Sequence, residues 1–531
     1  MSRRKLPIGI QTFRKVREDG CYYVDKTDLI PHLLDGGTHY FLSRPRRFGK
    51  SLLLDTLKEL FEGNEELFEG LDIHRDGWDW SARHPVLLLT FGSGHFARAG
   101  DLEIEVADRL SEAEGAAGIA RPTAASAAGR LRHLIRTLRE RTGRRVVLLV
   151  DEYDKPILDA LEDAEVARAN RDYLRGLYAV VKDCDADIRF SFITGVSRFS
   201  KVSLFSGVNN LKDITLDPRY SSICGYTEAD LDSVFGAELS GLDRDAIRDW
   251  YNGYSWLGEE KVYNPFDILL LFDSREFEPH WLETGTPTFL VETLFRRRVR
   301  SVDLDGMLAS GELLSTFDVN AIAPEALLFQ TGYLTIRERE RVGQRTLYRL
   351  GYPNREVREG LNEQLLRRLG QDSTRQTANS VQLFRLLEAD DIEGLREVFH
   401  AFYASIPHQW FTNNDIADYE GFYASVFYSY FAGIGLDVTV EESTNAGRLD
   451  MAVRFEDRVY IFEFKVIEQA GEGAALAQLI ARRYADKYRS PSVRIHLIGV
   501  EFSSESRNVV AFEHETRHTN GHGLSRPPRW A

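Results

Sequence analysis

Short apolar runs separated by longer periodic segments dominate the first two hundred positions. The runs at 40–42, 85–91, 146–150 and 188–193 are too short for helices and are typical of buried strands. Between them, residues 101–140 in particular carry helical spacing of apolar positions. Strands that alternate with helices predict a parallel sheet covered on both faces. We therefore expect an α/β domain whose ligand lies at the C-terminal ends of the strands.

The pattern changes beyond residue 215. Residues 216–335 are expected to be helical with aromatic-rich turns, 336–350 to form a short strand pair, and 355–405 to be helical. Alternating apolar and polar positions then predict strands at 438–443, 447–453 and 459–466. A helix is expected from Ala474 to Tyr488. A second, smaller α/β domain is therefore expected near the end of the chain.

The turn after the first predicted strand resembles a phosphate-binding loop. Gly49-Lys50-Ser51 lies where turn becomes helix, so backbone N–H groups and the lysine are expected to bind phosphate and the serine hydroxyl Mg²⁺. The residues predicted to contact nucleotide are Arg47, Phe48, Gly49, Lys50, Ser51 and Leu52. Arg44 stands where the usual pattern has glycine, and Pro45 follows it. A degenerate site is therefore an alternative.

A second strand supplies acids that match this loop. Val146 to Val150 are apolar and end in Asp151 and Glu152, about a hundred residues after the lysine. Asp151 is expected to hold Mg²⁺ and Glu152 to orient or deprotonate water. Either motif alone is better explained as an ordinary helix start or strand end, but the pair favours binding of ATP and Mg²⁺.

The next strand ends in Thr194, Ser197 and Arg198. We expect Thr194 and Ser197 at the same sheet edge, sensing the nucleotide, and ordinary loop capping is an equal alternative. AAA-type ATPases often need an arginine from a neighbouring subunit, so a homo-oligomer is an open possibility. Arg198 and the cluster Arg296–Arg300 are unranked candidates for that arginine.

A second chemical centre is predicted on the hairpin near the end. Antiparallel pairing around its turn would bring Asp450 close to Glu463, and the strand period of two puts Lys465 on the face of Glu463. Two carboxylates can hold Mg²⁺ or Mn²⁺, and the lysine can orient water or stabilise developing charge. The alternative is a solvent-facing hairpin with a Glu/Lys pair. The preceding helix could bring Glu420 alongside.

Composition narrows the class of protein. The 531 residues include 43% apolar and 28% charged residues, and no apolar run is long enough to span a membrane or follows the N-terminus as a secretory signal. Three isolated cysteines favour a reducing compartment, so a cytoplasmic location is expected. The net charge of −15 disfavours non-specific coating of nucleic acid but allows contact through local basic patches.

These motifs resemble two known families. Arg44 to Ser51 and Asp151 to Asp154 match the loop Arg-Pro-Arg-Arg-Phe-Gly-Lys-Ser and the strand end Asp-Glu-Tyr-Asp of an AAA-ATPase-like domain. Residues 415–513 resemble the PD-(D/E)XK nuclease superfamily domain fused to that ATPase in bacteria and archaea. The resemblance implies an active site made by Glu420, Asp450, Glu463 and Lys465, with Gln478 and Tyr484 from the following segment.

The sequence thus predicts an α/β protein with an N-terminal P-loop sheet domain, a helical middle region and a restriction-endonuclease-like domain. The expected bounds are 1–215 for the ATPase-like domain, 216–335 for a helical lid or winged-helix-like region, 336–414 for a helical connector, 415–515 for the nuclease-like domain and 516–531 for a disordered tail. The expected activity is ATP-dependent, metal-dependent cleavage of nucleic acid, DNA rather than RNA. Defence or mobile-element biology is a plausible setting. The alternative is a nucleotide-dependent switch or scaffold that binds without cleaving.

Overall fold

The fold is taken from a computed structural model. It describes residues 3–123, 125–198, 210–281, 294, 299–314, 323–369, 373–406, 420–444, 447–467, 473–488, 490 and 493–518. The chain divides into two compact units. The first comprises Met1–Glu283 with Gly306–Glu356, and the second Thr284–Asp305 with Val357–Ala531. Residues 516–518 of the expected disordered tail at 516–531 lie in a strand, and the rest of the tail lies outside the described residues. The predicted domain bounds stay predictions.

A five-stranded parallel sheet forms the centre of the first unit. Its strands are β1 (His39–Ser43), β2 (Val86–Thr90), β3 (Val146–Asp151), β4 (Ile188–Gly195) and β5 (Lys212–Asp213). They lie in the order β2-β3-β4-β1-β5, and every neighbouring pair is parallel. The apolar runs that predict β1, β3 and β4 are buried along almost their whole length because both faces are covered. The predicted parallel α/β domain is confirmed.

Helices connect and cover these strands. They span Phe13–Glu18, Leu29–Gly36, Lys50–Glu62, Asp72–Arg75, Asp101–Ala116, Ala127–Thr142, Lys155–Leu158 and Ala164–Asp183. Short 3₁₀ turns lie at Glu65–Phe68, Asp185–Asp187 and Pro218–Tyr220. The long helix Ala164–Asp183 shows why such segments form. The Asp163 side chain accepts hydrogen bonds from two N–H groups of its first turn, and an apolar stripe including Leu174 and Val181 is buried.

The rest of the first unit is mainly helical, as the pattern predicts. Its helices span Glu228–Val234, Arg244–Tyr251, Pro265–Ser274, Gly311–Leu314 and Pro324–Thr331. The predicted strand pair is present as β7 (Thr335–Val342) and β8 (Arg345–Gly351), and a short strand that the sequence did not predict, β6 (Leu308–Ser310), pairs with β8. The aromatic residues Tyr251, Tyr254 and Tyr263 are buried in this region.

Two carboxylic acids are buried together in this unit. Asp267 and Glu356 are fully buried, and the backbone N–H of Trp281 donates to Glu356 Oε1 over 2.7 Å. Burial raises the pKa of Asp267, and burial together with the neighbouring Asp267 raises the pKa of Glu356. Two such groups cannot both ionise at low cost, so their burial together favours the protonated forms.

The second unit contains another five-stranded sheet. Its strands are β9 (Asp437–Thr444), β10 (Gly447–Phe455), β11 (Arg458–Ile467), β12 (Arg494–Ser503) and β13 (Asn508–His518), in the order β13-β12-β11-β10-β9. Only the β11–β12 pair is parallel. The helices span Arg355–Leu369, whose first two residues belong to the first unit, and Ser373–Ala389, Ile392–Ser405, Glu420–Gly433 and Ala474–Arg482, with 3₁₀ turns at Ser301–Leu304 and Tyr484–Tyr488.

Aromatic packing joins the helices of this unit to one face of the sheet. Phe427 stacks on Phe399 with ring centroids 3.6 Å apart and lies 5.0 Å from the ring of Phe464 on β11. The predicted alternation of β11 is therefore confirmed, because Phe462 and Phe464 enter this core while Glu463 faces away from it. Among the described helices of the whole chain, none has the length and apolar character needed to cross a membrane.

Candidate nucleotide and metal sites

The phosphate-loop motif lies at the C-terminal end of β1. Arg47 and Gly49 have φ angles of 68° and 88°, and the helix begins at Lys50. The Lys50 Nζ atom donates to the carbonyl oxygens of Arg44 at 2.9 Å and Pro45 at 2.8 Å. Burial lowers the pKa of Lys50, and nearby carboxylates oppose that shift. The ammonium group therefore lies inside the turn, where a bound phosphate would need a positive charge.

Two of the residues predicted to bind nucleotide, Ser51 and Thr194, contact Asp151. Ser51 Oγ donates to Asp151 Oδ2 over 2.5 Å, and Thr194 Oγ1 donates to Asp151 Oδ1 over 2.7 Å. These contacts form because β4 lies between β1 and β3, so the parallel strand ends share one edge. A serine hydroxyl and a carboxylate are oxygen donors of the kind that Mg²⁺ prefers beside nucleotide phosphates. The donor set thus fits the expected metal.

Glu152 occupies a backbone conformation that non-glycine residues rarely adopt. Its φ is 53°, and a Cβ placed on Gly92 would lie 3.3 Å from Glu152 Oε2. Burial raises the pKa of Glu152, with Asp151 adding to the shift and Lys50 opposing it. A carboxylate with a raised pKa at the edge of a nucleotide site is suited to accept a proton from water.

The sequence analysis assigned no role to Asp154, which holds the end of β4. Its carboxylate accepts hydrogen bonds from the N–H of Val196 at 3.1 Å and from both the N–H and the Oγ of Ser197 at 2.5 Å. Tyr153 Oη donates to the carbonyl oxygen of Ser197 over 3.0 Å. We call this arrangement the Asp154 clamp. The Ser197 hydroxyl is therefore directed to Asp154 and not to Asp151, unlike that of Thr194.

The arginine candidates have partners within their own units. The Arg198 guanidinium pairs with Asp213, and its N–H donates to Gln330 Oε1 over 2.9 Å. Arg300 pairs with Asp303 over 2.7 Å, whereas residues 296–298 lie outside the described part of the chain. A role for any of them in a neighbouring subunit's site stays a prediction.

Arg44, the departure from the usual loop pattern, is an internal anchor. Its guanidinium donates to the carbonyl oxygens of Ser43 and Thr215 at 2.9 Å and of Tyr220 at 3.1 Å. It also lies 4.1 Å from the ring centroid of Trp256. Burial lowers the pKa of Arg44 to about 10. The side chain faces the protein interior, so its place in the loop does not block the phosphate site.

The aromatic turns to which the sequence analysis assigned no chemistry pack against this loop. The Phe48 ring lies edge-on to Tyr254 at 4.8 Å and to Trp256 at 5.3 Å. The Arg47 guanidinium lies 3.7 Å from the ring centroid of Phe266. Loop conformation is therefore fixed by residues more than two hundred positions away. In the sequence, the only sign of these contacts was the high density of aromatic residues near glycine and proline in the turns.

The second centre lies on the β10–β11 hairpin. Met451 pairs with Phe462, so the antiparallel register places Asp450 opposite Glu463. The Asp450 Oδ2 atom accepts a hydrogen bond from the N–H of Phe464 over 2.9 Å. Glu463 is only 2% exposed. The position of Asp450 opposite Glu463 therefore agrees with the prediction, and their joint role at a metal site stays a prediction.

The following helix completes the surroundings of Glu463. Gln478 donates a hydrogen bond to Glu463 Oε1. Tyr484 is buried, and burial raises the pKa of its hydroxyl, with the charges of Glu463 and Asp450 adding to the shift. The predicted helix to residue 488 is wrong in its second half, because Arg483 has a φ of 53° and a 3₁₀ turn follows. That break brings Tyr484 toward the carboxylates.

The donor set of this centre also fits a small divalent cation. Lys465 Nζ lies 3.5 Å from the carbonyl oxygen of Ala474, at the same end of the hairpin. The helix of Glu420 starts at that residue, whose side chain lies outside the described part. Among described residues no group of three or more His, Cys, Asp or Glu forms a metal cluster. Mg²⁺ commonly binds through one or two carboxylates plus water and phosphate, so Asp450 and Glu463 suffice.

Two family models match separate parts of the chain, one around each of these two centres. The model of the family described as Predicted AAA-ATPase matches residues 7–205, and that of the PD-(D/E)XK nuclease superfamily matches residues 418–512. An "Uncharacterized protein in vnfD 5'region" of Azotobacter chroococcum mcd 1 is 58% identical over 513 residues, covering 96% of this chain and 99% of that protein.

Two solved structures are similar at low identity. Cdc6p from Pyrobaculum aerophilum is 14% identical, covers 65% of this chain and 97% of its own, and has a TM-score of 0.27. The Aeropyrum pernix ORC1 protein in complex with DNA is 13% identical, covers 64% and 93%, and has a TM-score of 0.25. Both scores are too low to support an argument about this chain. The family models and the near-full-length relative show that the chain belongs to the family in which an AAA-ATPase-like domain is joined to a PD-(D/E)XK nuclease superfamily domain.

Proposed function

We propose that the first unit binds and hydrolyses ATP. Lys50 and the loop N–H groups would bind the phosphates, Ser51 and Asp151 would hold Mg²⁺, and Glu152 would accept a proton from water. The support is the contact of Ser51 and Thr194 with Asp151 beside the buried ammonium of Lys50. Bound Mg²⁺ would supply charge neutralisation for the phosphates.

We propose that the second unit cleaves phosphodiester bonds of nucleic acid, DNA in preference to RNA. The observation that carries this proposal is the strand register that places Asp450 opposite Glu463. Gln478 donates a hydrogen bond to the carboxylate of Glu463. A metal held by Asp450 and Glu463 would lower the pKa of bound water. Lys465, with its ammonium at the same end of the hairpin, would orient that water or stabilise negative charge on the phosphate.

We further propose a cytoplasmic setting, with a homo-oligomer if a second subunit supplies an arginine to the ATP site. All three cysteines, Cys21, Cys184 and Cys224, are buried and free of disulfides, which fits a reducing compartment. Defence against foreign DNA or a role in mobile elements is compatible with the fused activities. The cleavage proposal does not depend on either setting.

The test is cleavage of single- and double-stranded DNA and RNA with Mg²⁺ or Mn²⁺, each with and without ATP. Glu463→Gln should abolish cleavage but keep ATP hydrolysis, while the exposed turn variant Asp457→Asn should retain both. Lys50→Ala should abolish ATP hydrolysis, and Lys58→Ala on the same helix should not. Whether Lys50→Ala also stops cleavage reports the coupling of the two activities.

The two parts of the proposal fail separately. Metal-dependent cleavage that persists in Glu463→Gln would refute the assignment of the hairpin. ATP hydrolysis that persists in Lys50→Ala would refute the assignment of the loop. Tight nucleotide binding with no cleavage of any substrate would instead support a nucleotide-dependent switch whose nuclease-like domain only binds.

A further inference from the structure

A basic pocket lies at the edge of the first sheet opposite the phosphate loop. Its cavity of about 460 Å³ is lined mainly by residues that precede strands β2 and β3 and by Arg189 at the start of β4. We call it the arginine pocket; its charged and aromatic members are Phe61, Trp78, Asp79, His84, Arg139, Arg144, Arg145 and Arg189. Lys50 and Asp151 lie at the other ends of these strands, so one ligand cannot occupy both places. A volume of this size is within the range of small-molecule sites, about 300–1,000 Å³.

The arginine pocket carries an excess of positive charge. Four arginines line it against one acid, Asp79, in a chain whose net charge is −15. The Asp79 carboxylate already accepts hydrogen bonds from Ser81 N–H at 3.1 Å and Oγ at 2.6 Å. Within the described part of the first unit, none of the four guanidinium groups forms an ion pair with a carboxylate. Arg144 and Arg145 are exposed and Arg139 and Arg189 are partly buried, so their guanidinium groups are accessible to an anion.

The pKa shifts of two groups in the arginine pocket reflect its positive charge. Burial lowers the pKa of Arg189, and the adjacent Arg145 lowers it further. Burial also lowers the pKa of His84, with Arg189, Arg144 and Arg145 adding to the shift. His84 Nδ1 lies 2.8 Å from the carbonyl oxygen of Arg145, so a neutral ring donates there and leaves Nε2 as an acceptor. The site thus destabilises added positive charge and favours negative charge.

Trp78 provides a donor that the described protein groups do not satisfy. Its indole Nε1 is buried and has no hydrogen-bond partner in the described structure. The rings of Trp78 and His84 are each held edge-on to Phe61, at 5.7 Å and 6.0 Å. A buried indole N–H without an acceptor is uncommon, because leaving a polar group unsatisfied costs roughly 1–3 kcal/mol. An anionic oxygen in the pocket would be such an acceptor.

We propose that the arginine pocket is a second phosphate-binding site, for a phosphate-bearing ligand of mononucleotide size. Guanidinium groups bind phosphate through charge-assisted, bidentate hydrogen bonds, and the neutral His84 leaves an acceptor for a hydroxyl or amino group. The phosphate could belong to a free nucleotide or to the end of a nucleic-acid strand. The proposal is independent of the assigned ATPase and nuclease chemistry.

The pocket is connected to the loop by a single rigid element. The helix Lys50–Glu62 begins at the phosphate loop and carries Phe61 to the arginine pocket. The carbonyl oxygen of Phe61 accepts a hydrogen bond from His84 N–H over 2.8 Å. At about 1.5 Å per residue, the two sites lie on the order of 16 Å apart along this helix. A ligand in the pocket therefore contacts the far end of the helix that starts at Lys50.

The test is calorimetric titration of the full-length Lys50→Ala variant, in which the phosphate loop is disabled. The probes are pyrophosphate, AMP, adenosine and a short 5′-phosphorylated single-stranded DNA at fixed ionic strength. We expect a phosphate-bearing probe to bind with one-to-one stoichiometry and adenosine not to bind. Adding Arg144→Glu and Arg145→Glu should weaken that binding by about tenfold or more. The charge-matched pair Arg121→Glu and Arg339→Glu, on exposed positions elsewhere in the unit, should leave it within about twofold.

A second pair of variants covers the chance that charge reversal perturbs folding. Trp78→Phe removes the unsatisfied indole donor and should weaken binding, whereas Trp80→Phe should not. DNA that binds where AMP and pyrophosphate fail would identify a strand end as the source of the phosphate. Equal binding by pocket and control variants, or no binding of any phosphate-bearing probe, would overturn the proposal.

Discussion

Removing the carboxylate of Asp154 tests how the end of β4 is held. Asp154 is 1% exposed and accepts from the N–H of Val196 and from both the N–H and the hydroxyl of Ser197. Asp154→Ala would leave these three donors buried and unsatisfied. At roughly 1–3 kcal/mol for each such donor, the loss is on the order of 3–9 kcal/mol.

The net loss of stability in Asp154→Ala is smaller than this sum. Burial raises the pKa of Asp154, which shows that its charged form is itself disfavoured by desolvation. Removing the carboxyl group relieves this cost, so we expect a net local destabilisation near the lower end, about 3 kcal/mol. A suitable control is Asp163→Ala, because Asp163 also accepts from two backbone N–H groups but is exposed. Loss of such a cap should cost only about 1 kcal/mol.

The assay is native-state hydrogen exchange on peptides that cover residues 188–198, because a two-unit chain need not unfold in one step. The free energy of local opening should fall by about 3 kcal/mol in Asp154→Ala and hardly change there in Asp163→Ala. Affinity for ATP should fall as well, since Thr194 lies on the strand that the clamp holds. A change below about 1 kcal/mol in the Asp154 variant would refute the reasoning.

Three further changes probe other contacts. Glu356→Gln removes one of the two buried carboxyl groups. Because folding raises the pKa values of both groups, their contribution to folding stability is lost as pH rises from about 4 through the folded pKa values. The melting temperature of the variant minus that of wild type should therefore be higher at pH 8 than at pH 5, and an equal difference at both pH values would contradict this. Gly195→Ala places a Cβ 2.4 Å from the clamp carboxylate and should cost about 1–3 kcal/mol in thermal unfolding, whereas Gly176→Ala, with no atom within 4 Å, should not destabilise. Gln478→Ala should slow cleavage about 10–100-fold without changing ATP hydrolysis, and unchanged cleavage would count against its role.

Local patterns predicted β1–β4 and β7–β11 but not β5, β6, β12 or β13, and they predicted the register of the β10–β11 hairpin. The strand period and one tight turn are enough to set the register that brings Asp450 opposite Glu463, because both strands are adjacent in sequence. The meeting of Ser51, Asp151 and Thr194 was also predictable, since parallel strands share an edge for their C-terminal ends. In each case the relevant geometry follows from the direction and period of neighbouring elements.

The contacts that the sequence did not predict join residues distant along the chain. Arg44 donates to Thr215 and Tyr220, which lie 171 and 176 positions away. No periodic pattern links such positions, so the arginine was interpreted as an irregularity of the loop. The arginine pocket was missed for the same reason, because its residues come from the ends of separate elements and each resembles a solvated terminus. Ser197 lies at the predicted edge, and its hydroxyl donates to Asp154, a contact that the sequence did not predict.

Tertiary contacts restrict the conformations of the arginine-rich phosphate loop. A glycine at position 44 would leave the turn dependent on its own backbone, whereas Arg44 ties it to three carbonyl oxygens and to Trp256. Phe48 and Arg47 add contacts with Tyr254 and Phe266. Such a loop has less conformational entropy to lose when a phosphate binds, so more of the interaction energy is available for affinity. Because the contacts belong to the helical region of the first unit, any movement of the loop must also displace these aromatic turns, which makes that region the first place to look for a response to nucleotide.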